Sequence, residues 1–282
     1  MIETRRILKA SWRVLKEEGL LTLAKCSLEK LYRGEFRIVD SQMPQELQSR
    51  NLKILQEGAP DNMPIPPINL VELVTGRFDL DWFLRSGNIN AMNIENLLSK
   101  NSVRLSDFDA ILDFGCGCGR VIRHLKTDGR LYGCDYNSEA IKWAKKHLNF
   151  AEFSVNKLKP PTSYSDSKFD LILAISVLTH LTEELGHKWI SEFRRLIRPQ
   201  GFLILSLHGR GSFQDLASKE RLRFLDGQIV VREEQHVGSN SCVAFHPTEY
   251  VREELVKGFR MVDFVPQGLH NFQDLYLLQN LK

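Results

Sequence analysis

Apolar residues at Ile7, Leu8, Trp12 and Leu15 recur at helical spacing. After a break at Gly19 the stretch EEGLLTLAKCSLEKLY continues the pattern, so residues 1 to about 34 read as two helices. A polar stretch then leads into EGAPDNMPIPPINL (57–70), whose four prolines deny the backbone regular donors. The expected organisation is therefore an N-terminal helical extension with a Pro-rich linker over 1–67 and a larger domain over 68–282. Within the larger domain, Leu97 and Leu98 belong to a helix that runs to Lys100.

After residue 107 the pattern alternates between strand and helix, which predicts a mostly parallel sheet with helices on its faces. DAILDF, RLYGCD, AEFSV, FDLILAI and FLILSLH are five strands, and FDLILAI is apolar enough to be covered on both sides. GRVIRHLK is expected to start a helix. NSEAIKWAKKHL follows, with Asn137 or Ser138 as N-cap and Ala140, Ile141, Ala144 and Leu148 facing the sheet. Thr182 caps a further helix, whose stripe of Leu185, Trp189, Phe193 and Leu196 ends at RPQG. Residues 209–246 look irregular and long enough to form a lid or substrate insertion, with a hairpin in HVGSNSCVAFHP. PTEYVREELVKG begins a last helix with Pro at its first turn, and RMVDFV and QDLYLLQ supply two final strands.

Composition narrows the class. With 43% hydrophobic and 26% charged residues the chain can bury a substantial core. Its longest apolar runs fall short of the roughly 20 residues that cross a bilayer, and the charged start lacks the apolar core of a secretory signal. A cytoplasmic location is expected. The five cysteines are an odd count without a disulfide pattern. The net charge of +3 is small, and residues 1–40 hold all of the excess, with nine Lys or Arg against six Asp or Glu. Without a concentrated basic stripe, a nucleic-acid partner is not expected. The N-terminal helices are expected to cover the larger domain's cleft or a dimer face, with weak association to an anionic membrane surface as the alternative.

The informative stretch is ILDFGCGCGR (111–120). Cys116, Cys118 and Cys134 offer three thiolates, but zinc sites use cysteine pairs two to four residues apart and a fourth ligand, so no metal is expected. A Gly-rich turn after one strand, with an acid ending the next, fits nucleotide binding, since Asp135 can accept hydrogen bonds from two vicinal ribose hydroxyls. The spacing is G-x-G-x-G and not the G-x-G-x-x-G of dinucleotide loops, which opposes a nicotinamide-dependent oxidoreductase. Asp113 would repel a pyrophosphate and favour an ammonium or sulfonium.

The D-x-G-x-G-x-G string at Asp113, Gly115, Gly117 and Gly119 resembles the first motif of class I S-adenosylmethionine-dependent methyltransferases. GCDYN, VNKLKPP, FDLILAISVLTHL and RLIRPQGFLILSLHG resemble later motifs in order, and the tail resembles a bacterial subgroup associated with small molecules and glycans. The resemblance, over about residues 68–282, implies a Rossmann-like α/β fold: a seven-stranded, mostly parallel sheet with an antiparallel last strand. It implies S-adenosyl-L-methionine as cofactor, held by Asp113, Gly115, Cys116, Gly117, Gly119, Asp135, Tyr136, Asn156 and Ile175. His180 and His208 follow strands four and five, where ligands of doubly wound sheets bind, and either can serve as a base near neutral pH. The expected function is methyl transfer to a small polar or sugar-linked acceptor, at oxygen. A non-catalytic cofactor-binding protein of the same fold is the alternative.

Overall fold

A computed structural model describes residues 43–282. The two helices expected over 1–34, and the membrane-surface reading attached to them, lie outside the described residues. The described residues fall into two compact units, one of residues up to Ile65 with Phe78–Asp81, the other of Pro66–Arg77 with Trp82–Lys282. In the first unit, helix α1 (Gln45–Glu57) carries the fully buried Asn51. Its amide donates to the Phe78 carbonyl (2.7 Å) and accepts from the Leu80 N–H (3.0 Å), so one side chain satisfies two backbone groups.

The second unit starts with α2 (Ile68–Thr75), entered from Pro67 and closed by Gly76 in the left-handed region. After α3 (Leu80–Lys100) come β1 (Ala110–Phe114), β2 (Arg130–Asp135), α4 (Ser138–His147), β3 (Ala151–Val155), β4 (Phe169–Ile175), α5 (Glu183–Leu196) and β5 (Ile197–His208). Asn137 is the N-cap of α4, accepting from the Ala140 N–H (2.9 Å), and Thr182 caps α5. The chain ends with α6 (Ser218–Leu225), β6 (Val230–Arg232), β7 (Val243–Phe245), β8 (Phe259–Leu269) and β9 (Gln273–Asn280).

The seven expected strands are all present. β3-β2-β1-β4-β5 pair in parallel, and β9 lies antiparallel between β5 and β8. Two short strands, β6 and β7, extend the sheet to nine, with β7 joining the end of β5 through His208 and Phe245. They come from the 209–246 segment, so the hairpin there pairs Val230–Arg232 with Val243–Phe245 and does not lie inside HVGSNSCVAFHP.

The sheet is covered on both faces. On one, Ile94, Leu97 and Leu98 of α3 and Ile141, Ala144 and Leu148 pack with Ile111, Leu171 and Leu173. On the other, Leu185, Trp189, Phe193 and Leu196 of α5 pack with Leu112, Phe114, Ile172 and Tyr250. GRVIRHLK forms only a 3₁₀ turn, Ile122–His124. Its apolar residues Val121, Ile122 and Leu125 share a cluster with α3, which already occupies the face a crossover helix would take. Similarly, the helix expected after Pro247 is Thr248–Tyr250 continued by a π-type turn, Val251–Leu255. RPQG does follow the end of α5, but as the bulged beginning of β5. Among the described residues no helix is long and apolar enough to cross a membrane.

Candidate functional site

The site lies beyond the carboxyl ends of β1, β2 and β4, where β1 gives way to the glycine loop. The Gly115 and Cys116 N–H groups donate to the Cys134 carbonyl (2.8 and 3.1 Å), folding the loop back against β2. Gly115 and Gly117 have φ of +75° and +54°, and a Cβ there would come within 2.4 Å of Val177 and 2.5 Å of Val74 respectively. Backbone conformation and close packing both demand glycine at these two positions. Asp135 fastens the arrangement: its Oδ2 accepts from the Gly117 N–H (2.9 Å) and its Oδ1 from the Asn137 N–H (2.8 Å). One carboxylate thus ties the loop to the start of α4. Cys116, Cys118 and Cys134 are free and buried. Burial pushes their thiols up, that of Cys118 to about 12, so they fill space as neutral groups. Among the described residues no His, Cys, Asp and Glu cluster could hold a metal ion.

A cavity of about 340 Å³ opens above the loop. Asp113, Gly115, Cys116, Gly117, Asp135, Tyr136, Asn156, Ile175 and His180 all line it. Gly119 and His208 do not. Asp113 Oδ2 and Asn156 Oδ1 are buried there without a hydrogen-bond partner, an arrangement that asks for a ligand with donors. Burial raises the Asp113 carboxyl to about 7, against the pull of the Arg120 guanidinium. Burial also raises Asp135, against the N–H groups of Asn137, Gly117 and Tyr136. Two carboxylates with vacant lone pairs, a bare amide oxygen and a glycine turn suit the ammonium, ribose and adenine of S-adenosylmethionine.

Several lining residues were not singled out in the sequence. Arg120 reaches the cavity while donating to Ser86 Oγ (3.3 Å), and Trp82 lies 5.8 Å away as a cation–π partner. Its only signal was its place directly after the third glycine. Leu73 and Val74 of α2, and residues 238–241, complete the lining. The latter belong to the segment expected as a lid, and hydrogen bonds hold this loop in place. Tyr136 Oη donates to the Gly238 carbonyl (2.6 Å), and Asn240 Nδ2 donates to the Leu73 carbonyl (2.9 Å).

His180 sits in the 3₁₀ turn after β4, with Nδ1 2.8 Å from the Cys242 carbonyl. A carbonyl only accepts, so Nδ1 carries the proton and Nε2 keeps a lone pair. Burial lowers the His180 pKa, with the Cys242 carbonyl opposing, and leaves the ring neutral at pH 7. His208 is placed differently. Its ring lies 5.7 Å from Phe245 and 5.5 Å from Phe272, and Ser212 Oγ is 3.3 Å from its Nδ1. Burial, and to a lesser degree the proximity of the His180 ring, push it down to about 4.

Comparison with known proteins gives this arrangement a class. A protein-family model of a methyltransferase domain matches residues 112–205. The tRNA N(3)-cytidine methyltransferase METTL2 of Danio rerio is 30% identical over 177 residues, covering 58% of this chain and 46% of the relative. The human tRNA N(3)-cytidine methyltransferase METTL2B is 29% identical over 177 residues, covering 58% and 43%. The chain thus spans less than half the length of these relatives. In fold it is similar to a Burkholderia thailandensis 1,6-didemethyltoxoflavin-N1-methyltransferase with bound S-adenosylhomocysteine (16% identity, 76% of this chain, 86% of that one, TM-score 0.51). A Pyrococcus horikoshii protein shares the fold too, at 20% identity, 68% and 89% coverage and TM-score 0.51.

Residues 112–205 thus match a methyltransferase domain, and the fold is shared with a methyltransferase that holds S-adenosylhomocysteine. The expectation that nucleic acid is no partner is corrected by these relatives, which are named as tRNA methyltransferases. Net charge reports non-specific attraction to phosphates, whereas chemistry on a single base needs only a pocket for that base. A charge of +3 therefore carried no weight against RNA.

Proposed function

We propose that this chain transfers a methyl group from S-adenosylmethionine to an acceptor atom, with tRNA as the first acceptor class to test. The supporting observation is the convergence of Asp113, Asp135, Asn156 and His180 on one cavity above the glycine loop. When bound, the cofactor supplies a methyl group activated on a sulfonium. Asp113 would balance the ammonium, and Asp135 would accept ribose hydroxyls with the lone pairs that Gly117 and Asn137 leave free. Asn156 Oδ1 would accept from the adenine, while Tyr136 and Ile175 flank it. Where the acceptor atom carries a proton, as a hydroxyl does, the neutral His180 would take it at Nε2. The names of the curated relatives support a nucleic-acid acceptor.

His180 also favours a second reading, O-methylation of a small polar or sugar-linked molecule, because a hydroxyl must lose its proton to become a good nucleophile. Both kinds of acceptor are found in the cytoplasm, the compartment expected from the sequence. The test offers purified protein and methyl-tritiated cofactor to total tRNA and, separately, to fractionated glycans and small metabolites. Label on a cytidine of tRNA supports the first acceptor, and label on a low-molecular-weight hydroxyl supports the second. Label in neither, with cofactor binding shown by calorimetry, overturns the enzyme reading in favour of a cofactor-binding protein.

A further inference from the structure

The loop over residues 236–242 is joined to the turn that carries His180 at two points. The Gly238 N–H donates to the His180 carbonyl (2.8 Å), and the Cys242 carbonyl is 2.8 Å from His180 Nδ1. Both backbone and ring of one residue are therefore held by a segment about 60 residues further along the chain. The same loop is anchored to the other side of the cavity by Asn240 on Leu73, and it rests on the Tyr136 hydroxyl at Gly238. Gly238 sits at φ +88°, and a Cβ there would lie 2.8 Å from Leu158 Cδ1 and 3.5 Å from the Tyr136 ring. The loop has room for glycine at that point and for little else.

We propose that the 236–242 loop is the positioning element of His180: seated, it fixes the proton on Nδ1 and leaves Nε2 bare toward the cavity; lifted, it releases the ring. The inference rests on the reading of His180 as the proton acceptor. In chemical terms, an imidazole in solution exchanges its proton between two nitrogens, and only the form with Nε2 unprotonated can accept through that atom. A backbone carbonyl that only accepts selects this form without adding charge. Gly238–Ser241 also line the cavity. Covering the cavity and readying the base then become one event, so that the base is set only when the roof is closed.

The experiment uses the full chain labelled with nitrogen-15 at histidine, with the His180 ring signals assigned by their loss in His180→Gln. Wild type should show a single neutral tautomer, protonated at Nδ1. Gly238→Ala, strained in backbone and crowded against Leu158, should shift the loop and give averaged ring signals. Asn240→Ala, which removes the anchor on Leu73 and strains nothing, should do the same to a smaller degree and guards against misfolding of the first variant. In both, kcat on a hydroxyl acceptor should fall about tenfold, within the span of general-base effects, with less than about threefold change in cofactor Kd. A wild-type ring protonated at Nε2, or identical ring signals in wild type and both variants, overturns the inference. If His180→Gln keeps full turnover while the ring signals respond to the loop as described, the reading of His180 as base has failed and the positioning has not.

Discussion

Replacing Asp113 by Asn puts a number on the electrostatics of the cavity. The carboxyl is 3% exposed, its Oδ2 has no hydrogen-bond partner, and burial holds its pKa at about 7. A group with that pKa is about one-tenth ionised at pH 6 and about nine-tenths ionised at pH 8. If only the carboxylate attracts the ligand's ammonium, affinity for S-adenosylhomocysteine should rise about ninefold over that interval, or about 1.3 kcal/mol. Calorimetric titration at pH 6, 7 and 8 reads this directly. Asp113→Asn keeps the shape of the side chain and should show a flatter profile, with Asp135 and His180 titrating alike in both proteins, so that the difference isolates Asp113. A ligand without the amino-acid end, 5′-methylthioadenosine, should show no difference in slope between the two proteins. Equal slopes for S-adenosylhomocysteine in wild type and variant would refute the pairing of Asp113 with the ammonium. The same shift has a consequence for the ligand-free protein. A carboxyl raised from 3.8 to about 7 holds its proton more tightly when folded, so its contribution to stability is present below pH 4 and lost as pH rises through 7. The upper limit is about 4 kcal/mol. Asp113→Asn should accordingly unfold at higher denaturant than wild type at pH 8, with no such gain at pH 4.

Asp135→Asn should weaken cofactor binding by more than tenfold and also cost about 2 kcal/mol of stability, because an amide nitrogen cannot accept from the Gly117 or Asn137 N–H; unchanged urea midpoint and affinity would remove Asp135 from both roles. On a hydroxyl acceptor His180→Gln should lower kcat by about a hundredfold with cofactor Kd retained, whereas His208→Gln, outside the cavity lining, should leave kcat within about threefold. Steady-state kinetics on the labelled acceptor checks both, and the reverse order of effects would move the base to His208. Trp189 is 1% exposed, lies 4.4 Å from the Phe114 ring and lines the cavity. Trp189→Leu should cost about 3 kcal/mol in chemical denaturation, and its loss should remove part of any fluorescence change on cofactor binding.

The parts of this chain legible in sequence were those where one local signal meets no competitor. FDLILAI has no polar position to expose, and Asp113 with alternate glycines can build only a tight loop at the end of a strand. GRVIRHLK was misleading because its periodicity is real but its sheet face belongs to α3, a helix from earlier in the chain. The surroundings of His180 and His208 look equivalent in sequence, each residue standing just after a strand. They differ because the Cys242 carbonyl meets one ring while Phe245 and Phe272 enclose the other, contacts 62, 37 and 64 residues away. Residues 238–241 carried no chemical signature, since a loop of Gly, Ser and Asn acquires meaning only from the residues beneath it. The expectation of no nucleic-acid partner rested on bulk charge, a property of the whole surface that says little about one cavity.

The position of β9 governs when the site can exist. It is inserted between β5 and β8, so every other strand of the sheet is synthesised before the one that fills the gap. Until residues 273–280 emerge, β5 presents a bare row of N–H and C=O groups from Phe202 to Leu207, an edge open to pairing with any other extended chain. Gln273 then brings the decisive acceptor: its Oε1 receives both the Ser206 hydroxyl (2.7 Å) and the hydroxyl of Ser176 (2.8 Å), a residue of the cavity wall held at φ +60°. The wall after β4 is thus finished from the far end of the chain, and a nascent protein arrested before that point would have a nearly complete sheet and an unfinished binding site.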